Sequence, residues 1–369
     1  MKYRAVLSIA AVLALLTAGA RADILIGQTV GVTGAVASSV KEAMTGAHLY
    51  IDHVNAKGGI KGEKLELLTL DDGFDVKRAA ENARILVEDR NVIALFMNRG
   101  TPHTEAIIPL LEKHDVPLVA PSTGAMLLHT PIKRQIFNVR SSYQREAEKA
   151  VEHLSTLGMK RIALVHVDDS FGRDGLEGAM KGLAKAKLQP VVVVAADRAR
   201  PDFTKIVPAL VQAEPQAVIW IASGTAVTDG IKALRKAGSA AQVVTLSNNA
   251  SGGFIKALGD QSRGVIVTQV FPYERSVGYA FVKEAMELAK EKNVDLSPAM
   301  LEGFAAAKVL VEAVRRASPN PTRAKMLAAL EKMDRFDIGG LVVSYSPTDH
   351  TGLDFADLSI IGGDGKFKR

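Results

Sequence analysis

The sequence predicts an α/β protein built as two Rossmann-like lobes with parallel-rich sheets, joined by three crossovers. Three observations carry this reading. Short apolar runs and helical patterns alternate without interruption from Ile24 to Phe137, which the handedness of crossover connections turns into a parallel, helix-flanked sheet. The alternation starts afresh after Tyr143. At 369 residues the chain is also too long for one ordinary core. Its 47% apolar and 23% charged content is that of a globular chain.

The elements follow from local patterns. Ile24 to Val30 reads as a first strand, apolar enough for the inside of a sheet. Across Thr45 to Gly73, Ala47, Tyr50, Ile51 and Val54 recur at helical spacing, and Asn55 and Gly58-Gly59 end that helix. Leu65, Leu67, Leu68 and Leu70 then read as a buried strand closed by the turn Asp71-Asp72-Gly73. A helix from 75 to 89, a strand from Val92 to Met97, a helix ending near His114 and a strand from Val116 to Ala120 continue the pattern. Phe137 to Arg140 is read as the first crossing. Helices at 143–158, 175–187, 202–212, 227–237 and 253–258 alternate with strands at 162–167, 191–196, 217–222, 242–246 and 265–268. The chain returns near 269–272, adds helices at 277–292, 299–317 and 322–333, and crosses a third time around 345–348. Strands at 341–344 and 358–361 are the last. The predicted lobes are 23–140 with 272–345, and 141–271 with 346–369.

Residues 1–22 are set apart. Lys2 and Arg4, an apolar run from Ala5 to Leu16 and the small-residue site Ala20-Arg21-Ala22 make a secretory signal peptide, its apolar run too short to span a bilayer. Three of the 46 basic residues lie there, so the remainder carries a net charge of about +3, no argument for nucleic acid. The chain has no cysteine, which removes thiolate metal sites and cysteine nucleophiles. Neither a phosphate loop nor a G-x-S-x-G elbow occurs; Ala120 stands where Ala120-Pro121-Ser122-Thr123-Gly124 would need glycine. The eight histidines have no metal-ligand spacing. Asp71 to Asp75 lacks the spaced oxygens and closing glutamate of a calcium loop, and a helix cap at Asp75 explains it better. No catalytic residue, metal or cofactor is expected.

A helix ending in Asn-Ala-Lys-Gly-Gly-Ile-Lys-Gly, followed by a strand ending in Asp71-Asp72, resembles the amino-terminal lobe of periplasmic binding proteins of the branched-chain amino-acid type. The likeness extends over most of the chain. It implies the type I periplasmic binding protein fold, a monomer in the periplasm, a small ligand in the interlobe cleft and delivery to permease subunits of an ABC importer. The missing cysteine, which leaves no lipid anchor at the cleavage site, favours a freely diffusing protein. It also implies which loops matter. After the third and fourth strands these are Asn98, Arg99, Gly100 and Thr101, then Ser122, Thr123 and Gly124. From the second lobe come Phe171, Ser223 and the loop Ser247-Asn248-Asn249, with Asn248 the candidate.

At that last loop relatives carry a glutamate for the ligand's ammonium, and this chain carries none. A desolvated ammonium without a counter-charge costs several kcal/mol. The expected ligand is therefore a carboxylate or amide lacking an α-amino group, with Arg99 near the mouth of the cleft and Phe171 as a wall. Asp168, Asp169 and Asp229 are the acids that could substitute. A sensor on the same fold, or a periplasmic enzyme, are the alternatives, since fold does not fix function.

Overall fold

The computed structural model describes residues 23–369, and the signal-peptide reading lies outside the described residues. The first lobe contains β1 (Ile24–Val30), α1 (Ala37–Ala56), β2 (Leu65–Asp71), α2 (Val76–Arg84), which runs into a wider turn at Ile85–Asp89, β3 (Leu95–Phe96), α3 (Thr101–His114), β4 (Leu118–Val119) and β5 (Ile136–Phe137). These strands form a five-stranded parallel sheet in the order β2-β1-β3-β4-β5. β2 is therefore an edge strand, with only Leu65 buried, which corrects the expectation of a buried strand. Asp75 caps α2, its carboxylate accepting from the Arg78 N–H at 2.8 Å.

The second lobe contains α4 (Tyr143–Thr156), β6 (Ile162–Val167), α5 (Ser170–Lys185), β7 (Val192–Ala196), α6 (Phe203–Ala213), β8 (Ala217–Ile221), α7 (Thr225–Lys236), β9 (Gln242–Thr245), α8 (Gly252–Leu258) and β10 (Ile266–Gln269). After α9 (Ala280–Glu291), α10 (Pro298–Ala317), α11 (Arg323–Glu331) and the hairpin of β11 (Phe336–Asp337) and β12 (Val342–Val343) come β13 (Asp357–Ile361) and β14 (Phe367–Lys368). The second sheet has seven strands in the order β14-β13-β10-β9-β8-β6-β7. β6 to β10 run parallel, and β13 and β14 are antiparallel additions at one edge. Every residue of β6 and β8 is buried, as expected for strands covered by helices on both faces.

The late helices return to the first lobe. α1 and α10 cross with their backbones in contact: a Cβ on Gly46 would lie 1.9 Å from the Met300 carbonyl oxygen, and one on Gly303 1.8 Å from that of Ala43. Only glycine fits at that crossing. Tyr50, Val54, Phe281, Phe304 and Tyr345 share the resulting core with Phe137.

Two sequence expectations shift. α5 begins at Ser170, not Gly175, because the Asp169 carboxylate caps it by accepting from the N–H groups of Phe171 and Gly172 at 3.0 and 3.1 Å. The third crossing comes later than 345–348. The ring of His350 stacks on Phe137 at 4.1 Å, and the Leu353 N–H donates to the Val139 carbonyl at 3.1 Å, so the chain rests on the first lobe through Leu353. Among the described residues no helix is long and apolar enough to cross a membrane.

Candidate functional site

The loops after β3 and β4 are shaped by backbone geometry. Met97 and Ala120 both sit in the left-handed region, at φ 49° and 53°, which ends each strand earlier than its apolar run suggests. A non-glycine residue there costs energy that its surroundings must outweigh. The kinks bring Arg99 and Ser122 into register as a parallel bridge. The Ser122 N–H donates to the Asn98 carbonyl at 2.9 Å, and the hydroxyls of Thr101 and Thr123 bond each other at 2.7 Å. Asn98 is held by Thr104 through its amide nitrogen at 2.8 Å. Gly100, at φ 97°, starts α3, and the Gly124 carbonyl accepts from the Tyr143 N–H at 2.7 Å.

Arg99 is only 5% exposed, not extended into solvent. Its Nη1 donates to Ser122 Oγ at 3.0 Å and its Nη2 to the Asn248 carbonyl of the other lobe at 2.7 Å. Among the described residues no carboxylate lies within ion-pair distance of it. Deeper in the site is a buried chain of charges. Ser122 Oγ donates to Glu302 Oε1 at 2.7 Å, and Glu302 lies 3.8 Å from Arg140 Nη1. Arg140 Nη2 donates to Glu146 Oε1 and, at 2.7 Å, to Ser247 Oγ. Glu146 also accepts from the Ser247 N–H at 2.9 Å and from the Thr268 hydroxyl. Burial alone would push the Arg140 guanidinium down, but Glu146, Tyr143 and Glu302 more than offset it and hold it above its ordinary value. Burial raises the Tyr143 phenol. Both carboxylates thus pair with Arg140, and neither pairs with Arg99.

In the second lobe Asn248 donates to the Ala222 carbonyl at 3.0 Å and Ser223 Oγ at 2.9 Å, while its Oδ1 is buried without a partner among the described residues. Asn249 is tied to Ala222 and Thr245. Phe171 lies in the first turn of α5 rather than in a strand-end loop, is 3% exposed and meets Tyr143 edge to face at 4.8 Å. The lobes touch: Gly224, at φ 57°, leaves no room for a Cβ, which would lie 2.4 Å from the Ala35 carbonyl oxygen. Glu42 of α1 accepts from the N–H groups of Gly252 and Gly253 at 3.1 and 2.8 Å. Between them a cavity of about 80 Å³ is lined by Ala35, Ser38, Ser39, Gly224, Thr228 and Asn248 among others.

The acids considered from the sequence do not reach the Ser247 loop. Asp168 pairs with Arg173 at the surface, Asp169 caps α5 and Asp229 is exposed. Sequence reasoning missed Glu146, Glu302 and Arg140. Glu302 had a readable mark, as a single acid inside the apolar run from Pro298 to Ala307. Among the described residues no group of His, Asp and Glu is disposed to hold a metal.

Two α/β lobes, joined by three crossovers and meeting over polar strand-end loops, define a two-lobed binding protein of the type I periplasmic fold. The chain belongs to the periplasmic binding protein family, whose model matches residues 23–354. It is 24% identical over 336 residues to Leu/Ile/Val-binding protein homolog 3 of Brucella melitensis, 89% of each chain. A possible leucine/isoleucine/valine-binding protein from Rhodopirellula baltica superposes with a TM-score of 0.87 at 26% identity, over 95% of this chain and 97% of that one. A substrate-binding periplasmic protein from Ralstonia solanacearum gives 0.84 at 30% identity, over 94% and 99%.

Proposed function

We propose that this protein is an extracytoplasmic solute receptor that takes a small carboxylate or amide lacking an α-amino group into the interlobe cleft. It delivers that ligand to the permease subunits of an ABC importer of the branched-chain amino-acid type. It acts as a monomer in the periplasm, exported by residues 1–22, and catalyses no reaction. The names of its relatives and the basic, apolar start of the sequence support this part of the reading. Residues 23–140 and 272–353 form one lobe in this account, the rest of the described chain forms the other, and the lobes close as near-rigid bodies.

The observation that carries the ligand class is Arg99. It is a buried guanidinium bonded only to neutral acceptors, whereas both carboxylates of the site already serve Arg140 or Ser122. A ligand carboxylate would replace neutral acceptors with a charge-assisted pair. A ligand ammonium would have to share a carboxylate that already serves Arg140 or Ser122. The residues that line the ligand site in this reading are Asn98, Arg99, Gly100, Thr101, Ser122, Thr123, Gly124, Ser223 and Asn248, with Phe171 packed edge to face on Tyr143.

The test is a thermal-shift screen of organic acids and their amides, followed by titration of the Arg99→Ala variant. Truncating one partner of a buried charge pair costs about 2–5 kcal/mol. The variant should therefore lose on the order of 30-fold or more for an acid such as 4-methylpentanoate and far less for 4-methylpentanamide. Equal losses for acid and amide would remove Arg99 as the anion partner.

A further inference from the structure

We infer that Arg198 is a positioning residue that closes the cleft by seating its guanidinium between Phe74 of the first lobe and Phe171 of the second. The inference rests on the reading of the interlobe cleft as the ligand site. Arg198 follows β7, and its Cζ lies 5.4 Å from the Phe74 ring centre and 5.6 Å from that of Phe171. Its Nε donates to Asp169, the residue that caps α5 and so fixes the start of the helix carrying Phe171.

These contacts belong to a longer ladder. Phe74 stacks on His103 of α3 at 4.4 Å and an interplanar angle of 17°. Phe171 meets Tyr143 of α4, and the Arg140 guanidinium lies 4.6 Å over the Tyr143 ring. The His103–Phe74 step lies within the first lobe and the Phe171–Tyr143 step within the second. Within this ladder the lobes are joined by the Tyr143–Arg140 step, beside the crossing at 140, and, away from that crossing, by the Phe74–Arg198 step. The ladder ends at Arg140, the cation that holds Glu146 and Glu302 inside the site.

Each rung is prepared for its place. Phe74 takes a left-handed conformation, φ 61°, with its N–H held by the buried Asp72 carboxylate at 2.8 Å. Burial pushes His103 down to about 4, so the ring stacked on Phe74 is neutral at physiological pH and does not repel the guanidinium. Asp169 is below the usual carboxylate range; burial raises it, but the Arg198 hydrogen bond and charge together with the helix N–H groups outweigh that. The Arg198 side chain is 23% exposed, and a partly exposed ion pair alone contributes little. What the residue adds is the attraction between its cation and two ring faces, one of which is present only while the lobes are together.

The chain has no cysteine, so two introduced ones report the lobe separation cleanly. Glu105→Cys on α3 and Lys232→Cys on α7 are both exposed and would carry spin labels for distance measurement on the ligand-free protein. Arg198→Ala should lower the ratio of the short-distance to the long-distance population on the order of 3- to 10-fold. Arg198→Lys should restore part of it, because the cation remains. Phe74→Leu should give the same shift, and combining it with Arg198→Ala should add little, since both remove one contact. Identical distance distributions for the parent and Arg198→Ala, or fully additive shifts in the double variant, would overturn the inference. Either result leaves the acid-against-amide selectivity of the cleft untouched, so failure here is distinguishable from failure of the ligand reading.

Discussion

Replacing Glu146 by leucine should unfold the second lobe at markedly lower denaturant. Glu146 is fully buried and accepts from Arg140, the Ser247 N–H and the Thr268 hydroxyl. Without it Arg140 keeps Ser247 Oγ, the Ser141 carbonyl at 3.3 Å, the Tyr143 ring and, as its one remaining carboxylate, Glu302 at 3.8 Å. Removing one partner of a buried ion pair costs about 3–5 kcal/mol because the remaining charge is uncompensated. The orphaned Ser247 N–H pushes the cost toward the upper end. The assay is urea unfolding followed by fluorescence of Trp220, the single tryptophan, which lies fully buried on β8 of the same lobe. Adding Arg140→Met should recover part of the loss, since the pair is then removed as a unit. A loss below about 1 kcal/mol for Glu146→Leu, or strictly additive losses in the double variant, would refute the argument that this chain of charges is a coupled unit.

Phe171→Ala should cost about 3–5 kcal/mol of stability in the ligand-free protein, because the ring is buried against Tyr143; a melting temperature unchanged from the parent would return Phe171 to an exposed cleft wall. Asp174 bonds the Met126 N–H of the first lobe at 3.0 Å and the Gln144 amide at 2.9 Å, and burial raises it to about 6 from 3.8. A carboxyl whose folded-state pKa is raised adds stability below its unfolded pKa and loses it as pH climbs through the folded value. The parent should thus lose up to about 3 kcal/mol relative to Asp174→Asn between pH 4 and pH 7; parallel pH profiles for the two proteins would contradict this.

The alternation of strand runs and helices made the two-lobe architecture legible, because a parallel sheet demands crossovers and crossovers demand helices. A helix cap was legible too, at Asp75. What the sequence hid was decided by tertiary context. Apolar runs at 92–97 and 116–120 overstate β3 and β4, since left-handed Met97 and Ala120 leave no local mark. The helix expected from Gly175 begins at Ser170, because Asp169 caps it there. The loops expected to form the site meet across the lobes through Arg99 and Asn248, but the acids bonded to them come from helices α4 and α10. Glu146 and Glu302 are distant in sequence from those loops, and no spacing rule links them to Ser247 or Ser122.

The most direct test pairs each amino acid with its deaminated counterpart: leucine with 4-methylpentanoate, valine with 3-methylbutanoate, phenylalanine with 3-phenylpropanoate. Calorimetric titration of the purified protein measures both members under identical conditions. Losing the counter-charge for an ammonium in a closed cleft costs about 2–5 kcal/mol, so the deaminated acid of the best pair should bind at least on the order of 30-fold tighter than its amino acid. Leucine or valine binding more tightly than its deaminated partner would contradict the account.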